Sequence, residues 1–368
     1  MVSDVYFTAM PGSRLMKLDR GCFSHYRQAG VYLWLALLAA CTPAPPEHPV
    51  TELQGSTMGT FYSVKVVDLA ASIAPADLQR DIDGILERVN DSMSTYRAGS
   101  ELSRFNSNPS LDWIPVSAEL VKVLAEAQAT SELSGGAFDV TVGPLVNLWG
   151  FGPAAQPEQL PAEAEIAEVR KRVGFAKLAI RSEPPALKKS IPDLYVDLSA
   201  IAKGYGVDQV ADYLHAKGIS NYLVEIGGEL HAAGHSGRGT PWRIAVERPD
   251  PRSRSVHMIV ELRGGGMATS GDYRNFYEKA GSWYSHSIDP TTGRPVTHGL
   301  ASVTVLMPNT LKADALATAL MVLGPQAGFE LANSQGIAAL FVVRTESGYL
   351  DLATEAFNAY LKQERDDS

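Results

Sequence analysis

Three groups of residues in this chain are suited to phosphate chemistry. The first is Asp314 and Thr318, four residues apart in Ala313-Asp314-Ala315-Leu316-Ala317-Thr318-Ala319-Leu320. On a helix that spacing stacks a carboxylate and a hydroxyl on one face. Both are hard oxygen donors, the kind Mg2+ takes alongside backbone carbonyls, water and substrate phosphate. An Asp near a helix start also serves widely as a cap or dipole partner. The second group centres on His286, in Ser285-His286-Ser287-Ile288-Asp289-Pro290, with a turn at Thr291, Thr292 and Gly293. Imidazole titrates closest to neutrality and suits a general base.

The third group lies in the run from Asp197 to Leu214. Leu194, Tyr195 and Val196 read as the end of an apolar strand, and Val207, Val210, Ala211 and Leu214 mark one face of a helix. A strand-to-helix turn aims backbone N–H groups and a positive helix end at an anion, typically a phosphate. Lys203 adds a charge there, and Gly204 and Gly206 are expected to admit a ligand close to the backbone. A lysine in a helix's first turn opposes the dipole, so it should have a partner. A solvated lysine beside an ordinary glycine-started helix is the plainer reading of the same residues.

The elements that must hold these groups follow from periodicity. Tyr62, Val64 and Val66 alternate with Ser63 and Lys65 as in a half-buried strand. Leu78, Ile82, Ile85, Leu86 and Val89 form a helical stripe entered through Pro75, and a second helix spans Ser117 to Glu132. The run Glu101 to Asn106 reads as a polar loop. Around Gly135-Gly136-Ala137-Phe138-Asp139, small residues flank one aromatic and one carboxylate, which suits a pocket wall. Residues 154–161 read as a flexible connector, followed by a charged helix from Glu163 to Val173 and a hairpin. Further strands are expected at Asn221 to Ile226, Trp242 to Glu247, Met258 to Leu262 and Ser302 to Leu306.

Composition narrows the class. The 368 residues supply one large or two ordinary domains, and a formal net charge of −9 argues against a nucleic-acid partner held through phosphates. Lys17, Arg20 and Arg27 precede an apolar run, Ala29 to Ala40, too short to span a bilayer and ending Ala39-Ala40-Cys41. This resembles a bacterial lipoprotein signal, in which Cys41 is lipidated and becomes the new N-terminus. Residues 1–41 are therefore expected to be the signal segment, with Met16 an alternative start. Residues 42–50 read as a Pro-rich tether, 51–362 as the folded part and 363–368 as a polar tail. With Cys22 and Cys41 the only cysteines, the folded part has no disulfide, thiolate metal site or cysteine nucleophile. No HExxH zinc motif and no GxSxG elbow occurs.

Taken together, Ser56-Thr57-Met58-Gly59-Thr60, Gly136-Ala137-Phe138-Asp139, Asp197 to Tyr205, Glu225-Ile226-Gly227-Gly228-Glu229, Thr269-Ser270-Gly271-Asp272-Tyr273, His286 to Pro290 and Asp314 to Thr318 resemble the ApbE family over nearly all of residues 50–345. Alternating strands and helices give an α+β protein of two closely packed lobes sharing one cleft, without separable domains; with the resemblance, the expectation is mixed sheets flanked by helices and a cleft that holds FAD. The resemblance implies an FAD:protein FMN transferase, in which FMN passes from FAD to a threonine or serine hydroxyl of an acceptor protein and AMP leaves. Mg2+ would be the cofactor and FAD a substrate. Position by position, Met58, Tyr96, Ala137, Phe138, Asp139, Asp197, Lys203 and Ile288 would contact FAD. Ala200 (through its carbonyl oxygen), Asp314 and Thr318 would hold Mg2+, and His286 would be the base. The acceptors implied are flavin-bearing subunits of membrane redox complexes, reached from the periplasmic side of the inner membrane through the Cys41 lipid anchor. The rival readings are an Mg2+-dependent FAD pyrophosphatase, a non-catalytic FAD-binding lipoprotein and a lipid-anchored solute-binding or assembly protein.

Overall fold

In the computed structural model, residues 47–152, 159–279 and 281–366 are described, and eight strands among them form the main sheet. We number these β1 (Val50–Thr57), β2 (Thr60–Val67), β3 (Tyr222–Ile226), β4 (Glu229–Ala233), β5 (Gly264–Gly271), β6 (Leu300–Met307), β7 (Ala338–Thr345) and β8 (Gly348–Ala353). Their order across the sheet is their order in the chain. Every pair is antiparallel, so the sheet is not mixed as expected. Each strand returns beside its predecessor, either through a hairpin or through an excursion that reverses direction; between β6 and β7 the reversal falls at a break in the helical segment, Gly324-Pro325, where Gly324 has φ of 82°. β1 and β2 meet in a two-residue turn, Met58-Gly59, with φ of 49° and 73°, the positive pair that a tight hairpin requires.

The helices are α1 (Pro75–Met93), α2 (Glu101–Ser107), α3 (Ala118–Leu133), α4 (Gly143–Leu148), α5 (Glu163–Arg170), α6 (Ala202–Ala216), α7 (Thr310–Ser334, two helical segments joined at a break at Gly324-Pro325) and α8 (Glu355–Asp366). Strand alternation assigns their places. Val303, Val305, Ala339 and Phe341 point to one face and pack on Leu316, Ala317, Leu320 and Met321 of α7. Leu306, Leu340 and Val342 point to the other face and pack on Phe357 of α8 and on the ladder of Trp242–Glu247 with Val256–Leu262. Over β1–β3 the helical face belongs to α1 and α6. The stripe Leu78, Ile82, Ile85, Leu86 and Val89 is buried as the periodicity predicts, at about 1.5–3 kcal/mol for each large side chain.

A second lobe shares α6 and α7 with the first. Leu102, Phe105, Leu120, Leu124, Phe138 and Val196 surround Ile201, Tyr205, Leu311 and Ala315 in one core. The α+β class and the paired lobes are as expected, and residues from 47 onward form one compact unit.

Four local expectations change. Glu101 to Asn106 is helix rather than loop, because Ser100 accepts the Ser103 N–H at 2.9 Å as a cap, and Leu102 and Phe105, three apart, are buried together. Leu194 to Val196 is not a strand. The Asn106 side chain supplies both bonds that a ladder would give Val196, donating to its O and accepting from its N at 2.8 Å. The expected tail continues α8 as far as Asp366, since its residues are good helix formers. At the other end of the folded part, His48 is already bonded to Gly237 and β1 starts at Val50, so the expected tether is partly held. The signal segment, Cys41 and most of the connector lie outside the described residues.

Candidate active site

The site is built where the first turns of α6 and α7 cross. A Cβ on Gly204 would lie 2.4 Å from Thr310 O and 2.8 Å from Asp314 Cβ, so only glycine permits the approach. At this crossing each helix caps the other. The Asp208 carboxylate of α6 accepts the Thr310 and Leu311 N–H groups at 2.8 and 2.9 Å, and Asp314 Oδ2 of α7 accepts the Gly204 N–H at 2.9 Å. Gly204 N would otherwise bond Ala200 O four residues back. Among the described residues, therefore, Ala200 O and Asp314 Oδ1 carry no hydrogen bond. Thr318 lies one turn beyond Asp314, with Oγ1 3.2 Å from Ser270 Oγ.

Charge is dense here. Lys203 Nζ pairs with Glu229 of β4; the sequence called for a partner but did not say of what kind or which residue. Burial pulls the Lys203 ammonium down, but Glu229 and then Asp314 outweigh it and hold it above the usual lysine value. Burial pushes the Glu229 and Asp314 carboxyls up, against the opposing pull of Lys203. A further cation beside Asp314 would relieve that cost, which is the electrostatic condition for a metal site.

His286 Nδ1 lies 3.0 Å from Asn275 O. A carbonyl only accepts, so Nδ1 carries the proton and Nε2 keeps its lone pair. Burial lowers the imidazole below the usual histidine value, the Asn275 carbonyl and Asp272 partly offsetting it. The ring is thus neutral with an available lone pair, held edge to face against Phe151 at 6.4 Å between centroids.

Tyr96, Ala137, Phe138, Asp139, Asp197, Ala200, Lys203, His286, Ile288, Asp314 and Thr318 line one cavity of about 440 Å3, together with Glu229, Thr269, Ser270, Arg274 and Asn275. The cavity lies between the lobes: Phe138 and Asp139 come from the helical side, Ser270 and Glu229 from the sheet. A model of the ApbE family matches residues 58–341. The chain belongs to the ApbE family. It is 49% identical over 330 residues to the FAD:protein FMN transferase of Vibrio cholerae serotype O1, covering 89% of this chain and 97% of that one. The solved flavin transferase ApbE from Vibrio cholerae superposes with a TM-score of 0.79 at 47% identity, over 85% of this chain and 99% of that one. The apo form of Pseudomonas stutzeri flavinyl transferase ApbE gives 0.78 at 43% identity, over 85% and 97%.

In this ApbE-family chain, one expected contact residue stands apart. Met58 does not line the cavity; it occupies the β1–β2 turn, where a Cβ on Gly206 would come within 2.8 Å of its Cε. Gly204 and Gly206, expected to admit a ligand, instead admit α7 and Met58 respectively. The two candidate carboxylates also differ. Asp139 is clamped, Oδ1 by the Thr141 N–H and hydroxyl at 2.7 and 2.6 Å and Oδ2 by the Phe175 N–H at 2.8 Å. Burial raises its carboxyl, and those bonds work against the rise. Asp197 uses only Oδ1, on Ser199, and keeps Oδ2 for the cavity. Asp208 gave no signal in the sequence, because it reads as one more surface acid of α6.

Proposed function

We propose that this chain transfers FMN from FAD to the hydroxyl of a threonine or serine in an acceptor protein, forming a phosphoester and releasing AMP, in an Mg2+-dependent reaction. One arrangement carries the reading: a neutral His286 with Nε2 free to accept shares a cavity with three hard oxygens, Ala200 O, Asp314 Oδ1 and Thr318 Oγ1. That donor set suits Mg2+, and the raised Asp314 carboxyl marks a place where positive charge is wanted. Bound there, Mg2+ would neutralise the pyrophosphate and the departing AMP phosphate.

The chain's own residues do the rest. His286 Nε2 takes the proton of the acceptor hydroxyl, whose oxygen bonds to the phosphorus of the FMN half. The bond from that phosphorus to the bridging oxygen breaks, AMP leaves with that oxygen, and the imidazolium returns its proton to solvent. Lys203, bound to Glu229, holds a fixed positive flank and donates no proton. Asp197 Oδ2 offers an acceptor to an N–H edge of the nucleotide, and Phe138 and Tyr96 offer flat contact. Asp139 shapes the wall by tying Thr141 to Phe175.

The same reading anchors the enzyme through lipidated Cys41 on the periplasmic side of the inner membrane, with flavin-bearing subunits of redox complexes as acceptors. The basic flank, short apolar run and Ala39-Ala40-Cys41 support it. The test mixes the chain with FAD, Mg2+ and an acceptor protein, then reads flavin fluorescence on the acceptor after denaturing electrophoresis. A fluorescent band abolished by EDTA is expected. AMP and free FMN with a dark acceptor would make the enzyme a pyrophosphatase instead.

A further inference from the structure

Away from the cavity, three side chains with metal-ligand chemistry converge where the chain enters the fold. His48 Nδ1 is 2.7 Å from Asp68 Oδ2, at the end of β2, and the His48 and His235 rings lie 4.8 Å apart between centroids. One donor atom from each of the three residues lies within 4.8 Å of the others. The backbone fixes all three: His48 N bonds Gly237 O at 2.7 Å, Asp68 N bonds Pro49 O at 3.0 Å, and His235 N bonds the Asn221 side chain at 3.2 Å. His235 Nδ1 lies 2.9 Å from Ser236 O, so that nitrogen carries the proton and Nε2 is the donor. A backbone carbonyl behind a histidine is the usual support of a ligating imidazole. Gly239 packs beside the far edge of His48, where a Cβ would stand 3.6 Å from Nε2, in ordinary van der Waals contact.

We propose that His48, Asp68 and His235 bind a divalent transition-metal ion of the Zn2+ class. The ion takes His48 Nδ1, the Asp68 carboxylate and His235 Nε2, with water as fourth ligand. Ligation displaces the proton between His48 Nδ1 and Asp68 Oδ2, and the ring binds as its Nε2–H tautomer. Two imidazoles and one carboxylate select a borderline ion over Mg2+, which prefers oxygen alone. This centre is distinct in place and donor set from the hard-oxygen group of the cavity. Its effect is mechanical: it fastens the segment before β1 to the end of β2 and to the loop after β4.

The test uses the full chain, stripped with chelator and then held in excess Mg2+ so that the cavity's oxygen donors are not free for the probe. Zn2+ alone is titrated calorimetrically, and the thermal midpoint is followed in parallel. One equivalent should bind, and the midpoint should rise by about 5 °C at hundredfold excess over the dissociation constant. His48→Ala and His235→Gln should each weaken binding roughly tenfold or more and abolish the rise. Absence of binding would overturn the proposal, as would binding unchanged in both variants. Because both histidines lie at the surface, circular dichroism should confirm that each variant folds. If His48→Ala fails to fold, His235→Gln, which leaves the His48–Asp68 pair untouched, decides alone.

Discussion

Asp314 answers three demands at once: Oδ2 caps α6, the charge balances Lys203, and the residue lines the cavity. Asp314→Ala should therefore lower Mg2+-dependent transfer by roughly a hundredfold or more while FAD still binds, measured by single-turnover kinetics against flavin fluorescence. Full activity in that variant would remove the metal assignment. His286→Ala should slow transfer by about 10²- to 10⁴-fold with FAD affinity kept. In the proposed reaction His286 works when neutral, and burial moves its titration below 6.5, so neutral imidazole persists to lower pH than usual. The acidic limb of the pH–rate profile should accordingly fall below 6.5; a limb above that value would point to another base. At this scale the sequence was readable where a side chain's chemistry is unusual for its place, as with His286, Lys203 and the Asp314–Thr318 pair. Glu229 and Asp208 were not, because acids on a strand and on a helix face are ordinary until the fold shows what lies opposite them.

The crossing of α6 and α7 is the element on which the site depends. Gly204→Ala would drive a methyl into the Thr310 carbonyl and Asp314 Cβ, and α7 cannot retreat from the sheet it covers. A loss of about 1–3 kcal/mol in denaturant unfolding is expected, together with weaker Mg2+ dependence because Asp314 moves. The Lys203–Glu229 link between α6 and β4 makes a second prediction at this scale. Lys203→Met leaves a buried carboxylate without its cation and should destabilise more than the double variant Lys203→Met, Glu229→Met, a pattern a double-mutant cycle would read directly. Helices with long apolar stripes were legible. The seven-residue α2 was not, being too short to show a period, and the extended run before α6 looked like a strand because its burial matches one while its bonds come from a side chain.

At the level of the molecule, the sheet is a scaffold whose neighbours in space are neighbours in sequence, and every helical excursion returns to the strand it left. The class was legible from alternating patterns; the antiparallel order was not, since nothing local states which strand a segment will join. The consequence concerns the time course of synthesis. Each strand of this sheet meets a partner already made, so the scaffold can grow in the direction in which the chain emerges, from β1 to β8. The cavity cannot grow that way. Asp314, which caps α6 and completes the oxygen set, arrives more than a hundred residues after Gly204, the group it caps. Until α7 is made, the amino end of α6 lacks that cap, and the half-made protein has a sheet without the completed cavity.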